Sequence, residues 1–141
     1  MNPNKTPIFL LILVIGIAIG NYIGMAWGIY DAIWWYDILM HIAGGVFIGT
    51  LFFYLFEERN RIIPKDWRTM NKISVFFLAL GFVAFIGVLW EFYEYFRDVF
   101  VTQQYPFMGQ NPGLAFDTLK DLFDDLLGAC FAFFGRLFLK Q

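Results

Sequence analysis

The chain has 141 residues, of which 60% are hydrophobic, 22% aromatic and only 16% charged. A soluble domain of this length averages about half apolar and about a quarter charged, so the composition excludes an ordinary soluble domain. The net charge of −2 comes with no basic stripe, which excludes a nucleic-acid partner. One cysteine, Cys130, excludes an intramolecular disulfide; in its apolar run it reads as a small buried hydrophobe.

Length points to a single domain, residues 1–141, and the apolar runs predict four membrane-spanning helices, since a span needs roughly 20 mostly apolar residues. The first covers about residues 8–29. It is longer than the apolar core of a secretory signal, and no small-x-small cleavage site follows, so it reads as a retained span. Gly16, Gly20, Gly24 and Gly28 recur every fourth residue along it. Such a stripe admits a second backbone closely, either a helix of the same chain, with Gly45 and Gly49 as the facing surface, or a homodimer partner. The second span covers about residues 33–56 and the third about 73–95. The fourth, about 117–139, is unusual: its apolar part, Leu126–Leu139, is only 14 residues. To cross a bilayer it must carry Asp124 and Asp125 with it, and lipid does not solvate carboxylates. The connector between spans two and three holds Pro64 and Trp67. The longer segment from Arg97 to Phe116 holds Pro106, Gly109, Asn111, Pro112 and Gly113, yet also Val99, Phe100, Tyr105 and Phe107. Such a segment breaks regular helix while remaining apolar enough to pack on the membrane or over the bundle mouth.

Eight of the ten basic residues lie on one side of these spans: Lys5, Arg59, Arg61, Lys65, Arg68, Lys72, Arg136 and Lys140. Arg97 and Lys120 lie on the other. The positive-inside rule then places both termini and the second connector in the cytoplasm. The expected fold is an all-α integral membrane four-helix bundle, N-in and C-in, in the inner or plasma membrane, with membrane lipids as its surroundings. Trp27, Tyr30, Trp34, Trp35 and Tyr36 form an outer aromatic belt, with Trp90, Tyr93 and Tyr95 across from it.

Under this topology nine of the twelve acidic residues fall on the outer half, as does the one histidine, His41. At about 100° per residue, Asp37 and His41 share a face of the second span. Glu91, Glu94 and Asp98 share a face of the third. Asp117, Asp121, Asp124 and Asp125 fall within about a 100° arc of the fourth. Carboxylates crowded together must take up protons, bind a cation or pair with basic groups. Arg97, Lys120 and His41 are too few to neutralise them. Asp37, His41, Glu91, Glu94, Asp121 and Asp125 are therefore expected to converge on a divalent cation, with Asp117 and Asp124 as outer or alternative ligands. A mixed nitrogen and oxygen set suits Mn²⁺, Zn²⁺ or Fe²⁺, and an all-oxygen subset suits Mg²⁺ or Ca²⁺. A ferritin-like di-iron centre needs two Glu-x-x-His pairs, and one histidine argues against it. The plainer alternatives are His41 as a helix-packing hydrogen-bonder, Asp117 as an N-cap, and Asp31 and Asp98 as solvated interface charges.

The run Tyr36-Asp37-Ile38-Leu39-Met40-His41, followed by Gly44-Gly45, resembles the Asp-x-x-x-His start of a core helix in VanZ-like proteins and in the YjdF-like bacterial inner-membrane proteins. Trp90-Glu91-x-x-Glu94 resembles the Trp-Glu element of the YjdF-like group. Asp117-Thr118-x-x-Asp121-Leu122-x-x-Asp125-x-x-Gly128-Ala129 resembles its closing Asp-rich helix. A VanZ-like chain carries Glu-x-x-x-Gln and an Arg before that helix; Glu91-x-x-Glu94 here favours the YjdF-like side. The resemblance implies a four-to-six-helix membrane bundle of unsettled function, and for VanZ-like proteins a link to glycopeptide resistance and the cell envelope.

Three functions follow as expectations. The first is an enzyme or binding protein acting on an envelope lipid or lipid-linked substrate through a metal at outer headgroup depth, with His41 or Glu91 as ligand or general base. The second is a cation or proton transporter or a subunit of one, against which stands the lack of a matching polar stripe on the cytoplasmic half. The third is a structural or accessory envelope protein. No Ser/His/Asp nucleophile set and no phosphate-cradling glycine loop is present.

Overall fold

Apolar runs this long fold as helix because lipid leaves backbone N–H and C=O groups no partner but their own chain. The computed structural model describes residues 5–64, 71–101 and 112–139. Among them it is all helical: α1 (Lys5–Ala26), a one-turn α2 (Ile29–Ala32), α3 (Tyr36–Phe53) running straight into a π-helical turn (Tyr54–Arg59), α4 (Lys72–Phe100) and α5 (Pro112–Phe138). Three stretches are long and apolar enough to cross a membrane: Lys5–Ala26, Tyr36–Arg59 and Lys72–Phe100. The expectations for Lys65, Trp67 and Arg68, for the segment holding Tyr105 to Asn111, and for Lys140 lie outside the described residues.

Each boundary has a local cause. Gly28 adopts a left-handed φ of 63°, a conformation that suits glycine and ends a helix. It stops α1 before residue 29 and turns the chain into α2, so Gly28 is not part of a helical stripe. Asn71 caps α4, its Oδ1 accepting from the Ile73 amide at 3.0 Å, as helix N-termini favour. Pro112 opens α5 at the position where a missing N–H costs nothing. The helix thus begins five residues before Asp117, which excludes Asp117 as its N-cap.

The central helix is α3, which packs against α1, α4 and α5; α5 also packs against α4. The seam between α3 and α5 is built of small residues. A Cβ on Gly45 would collide with the Asp125 carbonyl oxygen, and one on Gly128 with the Ile42 carbonyl oxygen; one on Gly49 would lie 2.8 Å from the Ala132 Cβ. Gly45 and Gly49 therefore face α5, not α1. On α1, the Gly20 position lies against the Met40 side chain and the Gly24 position against the rings of Tyr30 and Tyr36, while nothing approaches Gly16 within 4 Å. Tyr36 latches the two helices by donating its hydroxyl to the Gly20 carbonyl at 2.7 Å. Tyr30 and Tyr36 meet edge to face at 5.2 Å, whereas Trp27, Trp34 and Trp35 stay exposed.

Every fourth residue of α4 from Val75 through Ala79 and Val83 to Gly87 is buried. Val75, Phe52, Phe53 and Phe133 join in one apolar core. On α5 the sides separate cleanly. Asp121, Asp124 and Asp125 are buried, while Phe116, Leu119, Phe123, Phe131 and Phe138 point outward.

Candidate metal centre

Because Gly45 and Gly128 let α3 and α5 touch backbone to backbone, polar side chains at the Asp37 end of α3 meet those of α5 directly. His41 is almost wholly buried there. Its Nδ1 lies 3.4 Å from Asp125 Oδ1. Its Nε2 faces Asp37 Oδ1 at 3.6 Å, Asp121 Oδ1 at 3.8 Å and Glu94 Oε2 at 4.0 Å. One candidate ligand atom from each of His41, Glu91, Glu94 and Asp121 lies within 4.8 Å of all the others. Two ligands each roughly 2.1 Å from one ion are at most about 4.2 Å apart, so small side-chain movements would close this set. Glu91 Oε1 is buried with no hydrogen-bond partner. An orphaned buried carboxylate oxygen beside an imidazole and two further carboxylates is what a cation would satisfy.

A second set, Asp37, Asp117 and Asp121, also comes within 4.8 Å, but a side chain already supplies its cation. Lys120 Nζ donates to Asp37 Oδ2 at 2.8 Å and to Asp121 Oδ1, and lies 3.9 Å from both Asp117 Oδ1 and Asp124 Oδ2. The eight expected residues thus divide. His41, Glu91, Glu94 and Asp121 form one donor set. Asp37, Asp117 and Asp124 gather on Lys120. Asp125 backs His41 in the way a carboxylate orients a metal-binding histidine through its other nitrogen. Asp124 Oδ2 is buried and lacks a hydrogen bond, so its long ion pair to Lys120 leaves it under-satisfied.

At the rim, Arg97 Nε donates to Asp98 Oδ1 at 2.9 Å, and Arg97 Nη1 lies 3.8 Å from Glu94 Oε1. Asp98 is thus paired and mostly covered. Tyr30 donates its hydroxyl to Asn21 Oδ1 at 3.1 Å. Burial, with the Asp37 carboxylate nearby, pushes that hydroxyl up to about 12, so it stays a donor at neutral pH. Beside the carboxylates runs a cavity of about 230 Å³, lined by Asp37, His41, Glu94 and Asp125 together with Asn21 and Tyr30, and otherwise mostly by apolar residues.

Sequence reasoning missed a second polar cluster at the opposite end of α3 and α5. Glu57, set by the π-helical turn, is fully buried and receives Arg136 Nε at 3.2 Å and Nη2 at 3.1 Å. Arg136 Nη1 pairs with Glu58 Oε1 at 2.9 Å, and Thr6 donates to the same oxygen at 3.1 Å. The available signal was an arginine inside the apolar Leu126–Leu139 run and two glutamates directly after another.

The membrane character of the helices agrees with comparison to known proteins. Residues 3–141 match the family described as predicted membrane protein (DUF2238). The chain belongs to that family. An uncharacterized protein of Thermotoga maritima is 29% identical over 132 residues, covering 93% of this chain and 62% of that protein. The chain thus spans less than two thirds of the relative's length. No solved structure matches. Family and helices together make this a multi-pass membrane protein.

Proposed function

We propose that this chain crosses the inner or plasma membrane four times, N-in and C-in, and binds a divalent cation near the outer headgroup level, where it acts on an envelope lipid or lipid-linked substrate. The convergence of His41, Glu91, Glu94 and Asp121 within 4.8 Å carries this reading. The fourth crossing is supported by the 27 residues of α5, roughly 40 Å of helix, and by the burial of Asp121, Asp124 and Asp125 while Phe116, Phe123, Phe131 and Phe138 turn out. The eight-to-two split of basic residues supports the orientation. The motifs from Asp37 to Ala129, with their YjdF-like and VanZ-like resemblance, support an envelope setting. A bound divalent cation would polarise phosphate oxygens or water; His41, Glu91, Glu94 and Asp121 would hold it, and Asp125 would fix the imidazole.

The buried Glu57–Arg136 pair favours a second reading, a subunit that moves cations or protons between the two polar clusters. Against it, Phe52, Phe53, Val75, Ala79 and Phe133 pack into one buried apolar core, which supports a one-sided site.

Elemental analysis of the purified protein tests the proposal. Near-stoichiometric divalent metal is expected, with loss in Glu91→Gln and His41→Ala. A metal content equal in these variants and the parent would overturn it.

A further inference from the structure

We propose that the cavity beside the metal centre is the entry slot for one hydrocarbon chain of a lipid phosphate, admitted sideways from the bilayer between α1 and α4. The inference rests on the divalent-cation reading above. Helices α1 and α4 both pack against α3 and supply opposite walls of the cavity: Val14 and Ile17 from α1, Val83 and Ile86 from α4, with Ile48 of α3 between them. Val14 and Trp90 line it and are each 40% exposed on the outer surface of the protein. The slot therefore opens where lipid chains lie.

The walls and the inner end select different parts of one ligand. The walls offer an aliphatic chain mostly apolar side chains. The inner end is reached by His41 and Glu94, two of the four proposed metal ligands, so a divalent cation there presents positive charge to the slot. Asn21 and the Tyr30 hydroxyl sit at the same level. An anionic phosphate on an alkyl chain complements both ends; a soluble phosphate leaves the apolar walls unused. The volume of about 230 Å³ lies below the roughly 300–1,000 Å³ of pockets that enclose a whole drug-sized molecule. It fits one chain and leaves any second chain in the bilayer.

The protein in nanodiscs with Mn²⁺ would be titrated with radiolabelled lauryl phosphate, and Mn²⁺ binding would be followed separately by electron paramagnetic resonance. Saturable binding is expected. Ile17→Trp and Ile86→Trp, which fill the slot, should each weaken lauryl phosphate at least tenfold while leaving Mn²⁺ binding unchanged. Ile15→Trp, on the outward face of α1, should leave both unchanged. Should a tryptophan variant lose Mn²⁺ as well, Val14→Cys at the mouth, in a Cys130→Ser background, provides a second measurement: lauryl phosphate should slow its modification by an apolar maleimide at least fivefold. The slot is refuted by binding that the tryptophans do not weaken, by no protection of Cys at position 14, by glycerol phosphate competing as well as lauryl phosphate, or by metal-independent preference for laurylamine. Mn²⁺ binding without lauryl phosphate binding overturns the slot alone; absence of Mn²⁺ binding overturns the metal centre.

Discussion

His41 Nδ1 lies 3.4 Å from Asp125 Oδ1, and this pairing turns the other imidazole nitrogen toward Asp37, Asp121 and Glu94. Loss of such a backing carboxylate typically lowers metal affinity about 10- to 100-fold. Asp125→Asn should therefore weaken Mn²⁺ binding within that range, while His41→Ala should abolish it. Titration followed by electron paramagnetic resonance separates the two. Equal affinity in Asp125→Asn and the parent would show that the carboxylate does not orient the ring.

Lys120 serves as the cation of the Asp37, Asp117 and Asp121 group. Replacing it with methionine leaves those carboxylates without their ammonium. Lys120→Met should lower thermal stability in metal-free buffer, recover it on addition of Mn²⁺, and raise the bound metal per chain. An unchanged metal-to-protein ratio would mean that the second group cannot hold an ion.

The pair Glu57–Arg136 is buried and bidentate. Removing one partner of such a pair costs about 3–5 kcal/mol, whereas replacing both with apolar groups is often neutral. Arg136→Met should thus unfold at distinctly lower temperature, and adding Glu57→Met should regain part of the loss, the rest staying with Glu58, which also loses its pairing to Arg136. Additive losses in the double variant would show that the two side chains are independent.

The glycine seam makes a steric prediction. Gly45→Ala sets a Cβ against the Asp125 carbonyl and should cost about 1–3 kcal/mol or more. Gly24→Leu should also destabilise, since the Cβ alone comes 2.6 Å from the Tyr30 ring. Gly16→Ala and Ala18→Leu should do little. Thermal unfolding in detergent ranks the four, and a large effect at Gly16 would reveal a contact outside the chain.

Reporter fusions at Pro64 and Gly109 should report opposite compartments, with Pro64 cytoplasmic. The same compartment at both would rule out the proposed crossing pattern.

The helices were legible because each long apolar run has few alternatives in lipid, and the meeting of His41 with the carboxylates of α4 and α5 was legible because one polar stripe per helix has to point inward. What spacing does not encode is the neighbour. Gly45 and Gly49 repeat the period of the α1 glycines, yet they meet α5, since periodicity identifies a face and not what covers it. Lys120 reaches Asp37 from 83 positions along the chain, and Arg136 reaches Glu57 from 79. Counting charges on each side of the membrane therefore says nothing of Lys120 lying between the carboxylates or of Glu57 being buried against Arg136. The π-helical turn after Phe53 carries helical structure past the end of the apolar run, which hid the glutamates from a reading based on hydropathy.

The contact of Gly45 with Asp125, and of Gly128 with Ile42, has a consequence for motion. With no side chain between the two backbones, α3 and α5 have nothing compressible to yield, and a slide of either helix by one residue would rotate its polar face by about 100°. The frame around His41 is stiff. The supple component is the four-carbon stem of Lys120, whose ammonium can swing aside without disturbing a helix. An ion settling between Asp37 and Asp121, as the proposed function would have it, would need only that one flexible arm to move.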